Sequence, residues 1–393
     1  MVVASPLAKP TTARADLVGL SRLAIDAMFG LTDVVEAMHG TIARGPLPFG
    51  VPAERRSRGL TRFVYQNIRF VTRLVSVGLD RVLPLVARLA GQQDSSQRRD
   101  ALVAALNGVV GDHLVATNNP LAIQMRCVPA SPLVTIDQPI SSRVLLVVHG
   151  LSMNAAQWQR RGHHHGEALA RALGYSLVSL EYNTGRHIST NGRELAEKLA
   201  ALVAGWPVPI DELAIVGHSM GGLVTRSACH YGRLAGHAWL QKLRAIAFLG
   251  TPHHGAPLER AGNLVEHLFE LSPYASPIAR LGHLRSAGIT DLRFGNLLDE
   301  DWQERPRRHR DDPRTPVPLP DDVACYAIAA RGGAATDGLV PVASALGSHE
   351  DARFALAFPP EHRRVIEGCD HLGLLDSPAV FEQLQAWMTG PSR

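Results

Sequence analysis

The stretch LAIVGHSMGGLVTRSA, residues 213–228, decides how the rest of the chain is interpreted. It starts as an apolar run typical of a buried strand, passes through a Gly-x-Ser-x-Gly pattern centred on Ser219, and resumes with apolar residues at helical spacing. Glycines on both sides of the serine suit a sharp strand-to-helix turn, because neighbouring segments crowd such a turn. The turn would expose the Ser219 hydroxyl at a helix amino terminus. The pattern therefore predicts a nucleophilic serine; the alternative is an ordinary glycine-rich turn.

An alternation of strands and helices surrounds this motif. The strand-like runs are RVLLVVHG (143–150), YSLVSLEY (175–182), ELAIVGHS (212–219), LRAIAFLGTP (243–252), VACYAIAA (323–330) and HRRVIEG (362–368). The helical patterns are GEALARALG (166–174), NGRELAEKLAALVAGW (191–206), MGGLVTRSACHYGRLA (220–235) and PAVFEQLQAWM (378–388). Apolar strands separated by helices predict an α/β fold, with a mostly parallel central sheet and helices on both faces. Such sheets bind ligands at the carboxyl ends of their strands.

Two residues near the end of the chain fit the partners that a nucleophilic serine needs. His371, in EGCDHLGLL, follows the last predicted strand, and Asp337, in GGAATDGLVPVASA, follows the strand before it. A histidine takes the serine proton, and a carboxylate holds that histidine in the required tautomer. The order Ser219, Asp337, His371 is the nucleophile, acid and base order expected for this architecture. Glu259 is the alternative acid, and a turn aspartate with a surface histidine is the structural alternative.

Two backbone amides are candidates for the oxyanion hole, which must stabilise the negative charge of a tetrahedral intermediate. Met220 follows the serine directly and starts the predicted helix. Gly150 lets the chain turn at the end of its strand, which leaves the amide of Leu151 free to point toward the site. The alternative for Gly150 is a plain strand terminator.

Five motifs in this order, HGL, GHSMGG, LGTPHHGAPLE, TDGLVPVASA and DHLGLL, resemble the α/β-hydrolase superfamily. Within it they look most like bacterial lipases and esterases related to the GPI-inositol-deacylase-like lipases. The resemblance covers residues 140–255 and 321–393. It implies an α/β-hydrolase fold and a serine carboxyl-ester hydrolase that forms an acyl-enzyme and needs no cofactor. By the same resemblance the nucleophile is Ser219, the acid Asp337 and the base His371, with Leu151 and Met220 as oxyanion donors.

The sequence pattern and the resemblance together predict four parts. The pattern of residues 1–140 predicts a mainly helical amino-terminal extension, which lies outside the resemblance. The resemblance makes 141–255 the first part of the hydrolase core, 256–320 a lid or cap insertion, and 321–393 the second part of the core. The apolar pattern of the insertion favours an ester with an apolar acyl group as substrate. Two alternatives stay open. The same triad serves a thioesterase or an amide hydrolase, and the core could be the scaffold of an interaction protein attached to a lipid surface.

Composition bounds the remaining possibilities. The formal net charge of +4 does not call for a nucleic-acid partner. The four cysteines form no Cys-x-x-Cys pair, which gives zinc and redox motifs little support. The chain carries neither the apolar stretch of a secretory signal nor an apolar run of the roughly 18 residues that span a bilayer. We therefore expect a cytoplasmic protein, and the sequence leaves its oligomeric state open.

The extension contains a basic amphipathic segment between Glu54 and Arg88, with eight arginines and only two acidic residues. Such a segment can lie on an anionic membrane or another lipid surface. The alternative is a helix that packs on the hydrolase core with its arginines in solvent, and this alternative is favoured because most amphipathic helices of globular proteins simply pack.

Three histidine-containing or polar segments are discounted as sites. His163, His164 and His165 are adjacent, so their side chains point in different directions and do not predict a metal site. His253 and His254 lie at the carboxyl edge of the predicted sheet, where an architectural role is favoured over lining the pocket. The polar loop 181–192 lies at the same edge and receives no role residue by residue.

Overall fold

The computed structural model describes residues 97–130, 140–256, 286–303, 314–332 and 336–389, with a few positions within 16–26. Three expectations fall outside these ranges. They are most of the lid insertion (257–285 and 304–313), the alternative acid Glu259, and the basic segment 54–88. Each of them stays a prediction.

Seven strands form one sheet in the described part of the chain. They are β1 (Arg126–Pro129), β2 (Arg143–Val148), β3 (Ser176–Glu181), β4 (Glu212–His218), β5 (Leu243–Leu249), β6 (Ala324–Arg331) and β7 (Arg363–Glu367). Their spatial order is β1-β3-β2-β4-β5-β6-β7. β1 pairs with β3 in the antiparallel sense, and all other neighbours are parallel. The mostly parallel sheet is confirmed, with β1 as an additional edge strand that the sequence pattern did not indicate.

The α-helices whose bounds lie in the described ranges are α1 (Gln97–Ala116), α2 (His165–Leu173), α3 (Ile188–Gly205), α4 (Met220–Leu234), α5 (Ala287–Phe294), α6 (Glu300–Gln303), α7 (Val342–Ala345) and α8 (Pro378–Thr389). Within α1 the backbone departs from helical geometry at Val110, where φ is −134°. None of the helices in the described ranges has both the length and the hydropathy needed to cross a membrane.

The side chains of β2 show how the layers are built. Val144 and Leu146 point into a buried cluster that includes Leu195 of α3 and Leu223 of α4. Leu145, between them, points into a second cluster with residues of α2 and α8. Because successive side chains of a strand point to opposite faces, this strand is apolar throughout and helices cover both faces of the sheet.

Helix ends agree with the sequence where the signal is local. Gly174 closes α2 in the left-handed conformation, with φ of 74°, as its position after the helical pattern predicts. The predicted start of α3 at Asn191 is wrong, since the helix begins at Ile188. The amide of Ile188 donates to the buried carboxylate of Asp291 at 2.9 Å, so the cap comes from a residue distant in sequence.

The chain divides into two compact units. One comprises Met1–Ser96 and Leu114–Ala122, and the other Gln97–His113 and Ile123–Arg393. In the first unit, the Asn119 side chain donates to the Gly19 carbonyl at 2.9 Å and accepts the Leu121 amide at 3.0 Å. The second unit holds the whole sheet, together with residues 97–113, which the sequence analysis places in the amino-terminal extension.

Candidate active site

Ser219 occupies a strained turn between β4 and α4. Its φ of 54° and ψ of −124° lie in a region that side chains other than glycine rarely adopt. A Cβ on Gly217 would lie 2.8 Å from the Cα of Gly222, and one on Gly221 would lie 2.3 Å from the carbonyl oxygen of Val148. Both flanking positions therefore require glycine, and the structure has the sharp turn that the sequence predicts.

This turn stands at the carboxyl end of β4, which has parallel neighbours on both sides. A strained serine at that place, in a mostly parallel sheet covered by helices on both faces, decides the architecture. The chain has an α/β-hydrolase fold. In this fold the loops after the strands bring distant residues to the serine, and Asp337 and His371 lie in the loops after β6 and β7.

Asp337 and His371 form a buried pair. The Nδ1 atom of His371 lies 2.6 Å from Oδ2 of Asp337, and the His371 amide donates to the Asp337 carbonyl at 3.1 Å. The other carboxylate oxygen accepts the amides of Leu339 at 2.9 Å and Val340 at 2.6 Å. Burial opposes ionisation of Asp337, but the charge and hydrogen bond of His371 and the two amides together lower its pKa below 3.8. An ionised carboxylate accepts the Nδ1 proton, which leaves Nε2 of His371 as a base.

Several contacts place this pair beside the serine turn. The Ser219 amide donates to the carbonyl of Leu249 at 2.8 Å, and a Cβ on the next residue, Gly250, would lie 3.0 Å from the His371 ring. The rings of His218 and His371 have their centroids 4.8 Å apart. Ser219, Asp337 and His371 therefore all lie at the carboxyl ends of the parallel strands. Among the described residues, no hydrogen bond joins the Ser219 hydroxyl to His371; such bonds are often long before substrate binds.

The two predicted oxyanion donors also border the turn. Met220 is the first residue of α4, whose first amides have no partner within the helix. A Cβ on Gly150 would lie only 3.0 Å from Cβ of Ser219, so the chain carrying Leu151 passes directly against the serine. Neither the Leu151 nor the Met220 amide donates a hydrogen bond within the described part of the chain. Both amides are thus available to an oxyanion.

His218 also contributes to the candidate site, although its place in the motif predicts no role for it. Its Nε2 atom donates to the carbonyl oxygen of His371 at 3.1 Å, and burial lowers its pKa to about 3. His149 is buried as well, stacks on Tyr182 with ring centroids 4.5 Å apart, and has its pKa lowered to about 4. Both rings are neutral near pH 7 and serve as fixed packing and hydrogen-bonding groups. Both histidines stand next to motif residues in the sequence, but their roles depend on contacts between different strands and loops and are not visible in the sequence.

The three adjacent histidines serve different purposes. His163 Nε2 lies 2.8 Å from His165 Nδ1, whose Nε2 in turn lies 3.0 Å from the carbonyl of Leu374. His164 caps α2 by accepting the amide of Glu167. Across the described ranges, no group of three or more His, Cys, Asp or Glu side chains is arranged to hold a metal ion.

His253 lies inside the fold. Only 1% of it is exposed, its Nδ1 faces the guanidinium of Arg226 at 3.3 Å, and its carbonyl accepts from Arg314 at 3.3 Å. Burial, followed by the nearby positive charge of Arg226, lowers the pKa of His253 well below 6.5. This arrangement is architectural, as favoured from the sequence.

Comparisons with known proteins give a partial family match. The model of a domain of unknown function, DUF7379, matches residues 112–289, which is less than half of the chain. Comparison with curated proteins finds no match.

Similar solved structures include two lipases and a thioesterase. The mature form of Bacillus licheniformis lipase BlEst2 is 18% identical, with a TM-score of 0.40, over 67% of this chain and 98% of that one. Aspergillus fumigatus lipase B is 16% identical, with a TM-score of 0.39, over 70% and 58%. YbtT, a type II thioesterase of the yersiniabactin biosynthetic pathway, is 16% identical, with a TM-score of 0.41, over 67% and 95%. At these scores the assignment of the fold rests on the sheet order and the serine turn.

Proposed function

We propose that this chain is a serine carboxyl-ester hydrolase that cleaves esters with an apolar acyl group. The observation that carries the proposal is the buried Asp337–His371 pair. It lies beside the strained Ser219 turn at the carboxyl ends of the parallel strands. The two free amides of Leu151 and Met220 support it, because an oxyanion needs donors that no other group occupies. The motif resemblance to bacterial lipases and esterases related to GPI-inositol-deacylase-like lipases favours an ester over other acyl derivatives.

In the proposed reaction, the oxygen of Ser219 attacks the ester carbonyl carbon while its proton passes to Nε2 of His371. The amides of Leu151 and Met220 hold the resulting oxyanion, and Asp337 stabilises the imidazolium. The tetrahedral intermediate collapses, the alcohol leaves with the proton from His371, and the acyl group stays on Ser219. A water molecule then gives a proton to His371 and attacks the carbonyl carbon of the acyl-enzyme. His371 returns this proton to the Ser219 oxygen as the carbon–oxygen bond to the serine breaks, which releases the acid and restores the serine.

The test is hydrolysis of p-nitrophenyl esters from acetate to palmitate by the wild-type chain and by Ser219→Ala. Removal of a triad nucleophile lowers kcat by a factor on the order of 10⁶, so the kcat of Ser219→Ala should be lower than that of wild type by about this factor. Ser348→Ala, at an exposed serine, is the matched control and should behave as wild type. A fluorophosphonate adds a second reading: the Ser219 oxygen displaces fluoride from phosphorus, and mass spectrometry locates the adduct.

The outcomes separate the alternatives. Turnover of Ser219→Ala within tenfold of wild type would contradict the proposed nucleophile. Labelling of Ser219 without ester turnover would point to a thioester or amide substrate of the same triad. Absence of both labelling and turnover would favour the alternative in which the chain is an interaction protein attached to a lipid surface and the hydrolase core is only its scaffold. Turnover that rises with chain length would support a lipase, and turnover limited to short chains a soluble esterase.

A further inference from the structure

A glycine-containing segment of α1, NGVVG at 107–111, lies against the turn that carries Leu151. A Cβ on Gly108 would lie 2.0 Å from Oγ of Ser152 and 3.0 Å from both its Cα and Cβ. The helix backbone at Gly108 therefore lies directly against the side chain of Ser152. Ser152 immediately follows the proposed oxyanion donor and has a φ of 60°, a strained value for a serine.

The same segment fits closely against the loop after β3. A Cβ on Gly111 would lie 1.9 Å from Oδ1 of Asn183, and the Asn183 side chain donates to the Gly111 carbonyl at 2.9 Å. From the loop side, a Cβ on Gly185 would lie 2.1 Å from the carbonyl oxygen of Asn107. Gly111 and Gly185 thus allow the helix and the loop to approach closely, and at Gly185 the two backbones meet directly.

The loop after β3 also holds the turn that carries Leu151 and Ser152, which we call the oxyanion turn. Thr184 lies between Asn183 and Gly185, and its hydroxyl oxygen accepts the amide of Ser152 at 3.1 Å. Ser152 is therefore fixed from two sides, by the backbone of α1 at Gly108 and by the hydroxyl of Thr184. A strained residue persists only where its surroundings over-determine its conformation.

The helix segment is itself anchored by α5. The Ser286 hydroxyl donates to the Gly108 carbonyl at 2.6 Å, and the Asp112 carboxylate accepts the Ala287 amide at 2.9 Å. Ser286 is buried and also caps α5 by accepting the Ile289 amide. Residues 107–112 are therefore bonded to elements of the same compact unit at several points, and they are a fixed surface for the turn.

We propose that residues 107–111 of α1 position the oxyanion turn, with Gly108 as the positioning residue that sets where the Leu151 amide points. This inference rests on the proposed ester-hydrolase function, in which that amide stabilises the tetrahedral intermediate. It gives the segment 97–113 a role in the reaction. An oxyanion hole works only when its donors are held at the place where charge develops, so a displaced turn lowers kcat with little effect on substrate binding.

The test is Gly108→Ala in the full chain. The methyl group forces Ser152 away, and we expect kcat for a p-nitrophenyl ester to fall about 10- to 100-fold, less than the 10²–10³ for complete loss of a donor. KM should stay within about twofold of wild type, because the contacts that bind the substrate before the reaction do not change. Affinity for a trifluoromethyl ketone, which forms an oxyanion on the serine, should fall in parallel with kcat.

Two further variants separate positioning from general damage. Gly205→Ala is the matched control, since a Cβ on this helical glycine meets nothing within 4 Å, and it should keep wild-type kinetics. Ser152→Gly in the Gly108→Ala background removes Oγ, the atom closest to the new methyl group, together with Cβ, and glycine suits a positive φ. This double variant should recover most of the lost kcat.

Hydrogen exchange of a peptide covering 149–153 gives a readout that does not need turnover. Exchange should accelerate in Gly108→Ala and return toward wild type in the double variant. Unchanged exchange, or an unchanged kcat in an active enzyme, would overturn the inference. A wild-type chain without ester activity but with this exchange pattern would instead contradict the proposed function and leave the contact between α1 and the turn established.

Thr184→Val covers the case in which Gly108→Ala does not fold. It removes only the hydroxyl that accepts the Ser152 amide, with little change of shape. We expect a smaller fall of kcat with KM unchanged, together with faster exchange in the same peptide. Wild-type kinetics and exchange in this variant would also overturn the inference.

Discussion

Asp337 holds His371 through both its side chain and its backbone, with Oδ2 2.6 Å from Nδ1 and its carbonyl accepting the His371 amide at 3.1 Å. A substitution of the carboxylate therefore leaves the loop bonded at the backbone and changes mainly the tautomer of the ring. For Asp337→Asn we expect kcat to fall by about 10⁴ with little change in KM, the scale known when a triad carboxylate becomes an amide. Steady-state ester kinetics measure this.

Asp321→Asn is the matched control for that variant, because Asp321 is 81% exposed and its only described ion pair is a surface one with Arg233. It should keep wild-type kcat. Equal losses in both variants would show that the effect of Asp337→Asn comes from net charge and not from the histidine.

The backbone of Ser219 predicts a trade between stability and activity. A φ of 54° with ψ of −124° is costly for any residue with a Cβ and easy for glycine. Ser219→Gly should therefore be more stable than Ser219→Ala by about 1 kcal/mol, the strain relieved less the greater freedom of glycine in the unfolded chain. Urea unfolding compares the two inactive variants directly. Equal stabilities would mean that the strain at Ser219 is no larger than the cost of glycine's greater freedom in the unfolded chain, and would contradict the prediction.

Buried neutral histidines predict loss of stability in mild acid. The pKa of His149 in the folded chain is about 4, against 6.5 in its ordinary state, so the unfolded chain binds the extra proton first. The contribution of His149 to the free energy of unfolding is complete above about pH 6.5 and is lost as the pH falls toward 4. At pH 5 the loss is about 2 kcal/mol.

We test this with His149→Phe, which keeps an aromatic ring next to Tyr182 and removes the titration. The free energy of unfolding should fall less between pH 7 and pH 5 in the variant than in wild type, by about 2 kcal/mol. Parallel pH dependences of the two proteins would show that His149 titrates normally in the folded chain.

Asp291 is predicted to be a major structural residue of the site's surroundings. Its carboxylate accepts the amide of Ile188 at 2.9 Å, lies 2.9 Å from Nδ1 of His187, and accepts from the Asn296 side chain at 2.8 Å. Asp291→Ala leaves the buried Ile188 amide and Asn296 side chain, and the partly exposed His187 ring, without this partner, so the free energy of unfolding should fall by about 3 kcal/mol. Chemical denaturation measures the loss, and Asp321→Ala, which breaks a surface pair, should change it by less than about 1 kcal/mol.

Asp291 also shows which features of the fold the sequence alone does not predict. Apolar strands such as β2 and β4 are visible locally, because both faces are buried and every position is apolar. The start of α3 is not, since Asp291 caps it from about a hundred residues away. β1 was missed for a related reason: at four residues and an edge position, it lacks the long buried run of a central strand.

The candidate site divides in the same way. Ser219, Asp337 and His371 follow from motifs and chain order, because each motif stands at the end of a strand. The hold of His218 on His371 and of Gly108 on Ser152 depends on which loops the sheet order brings together. No local pattern carries that information.

The antiparallel pairing of β1 with β3 bears on how the protein behaves at high concentration. β1 occupies the sheet edge, places Arg126 beside Glu181, and ends in Pro129, which has no amide proton to offer a further strand. A shortened chain that begins at residue 141, where the motifs start, would lose this cover and leave the backbone groups of β3 open to another molecule. We expect such a chain to self-associate through that edge more readily than the full chain.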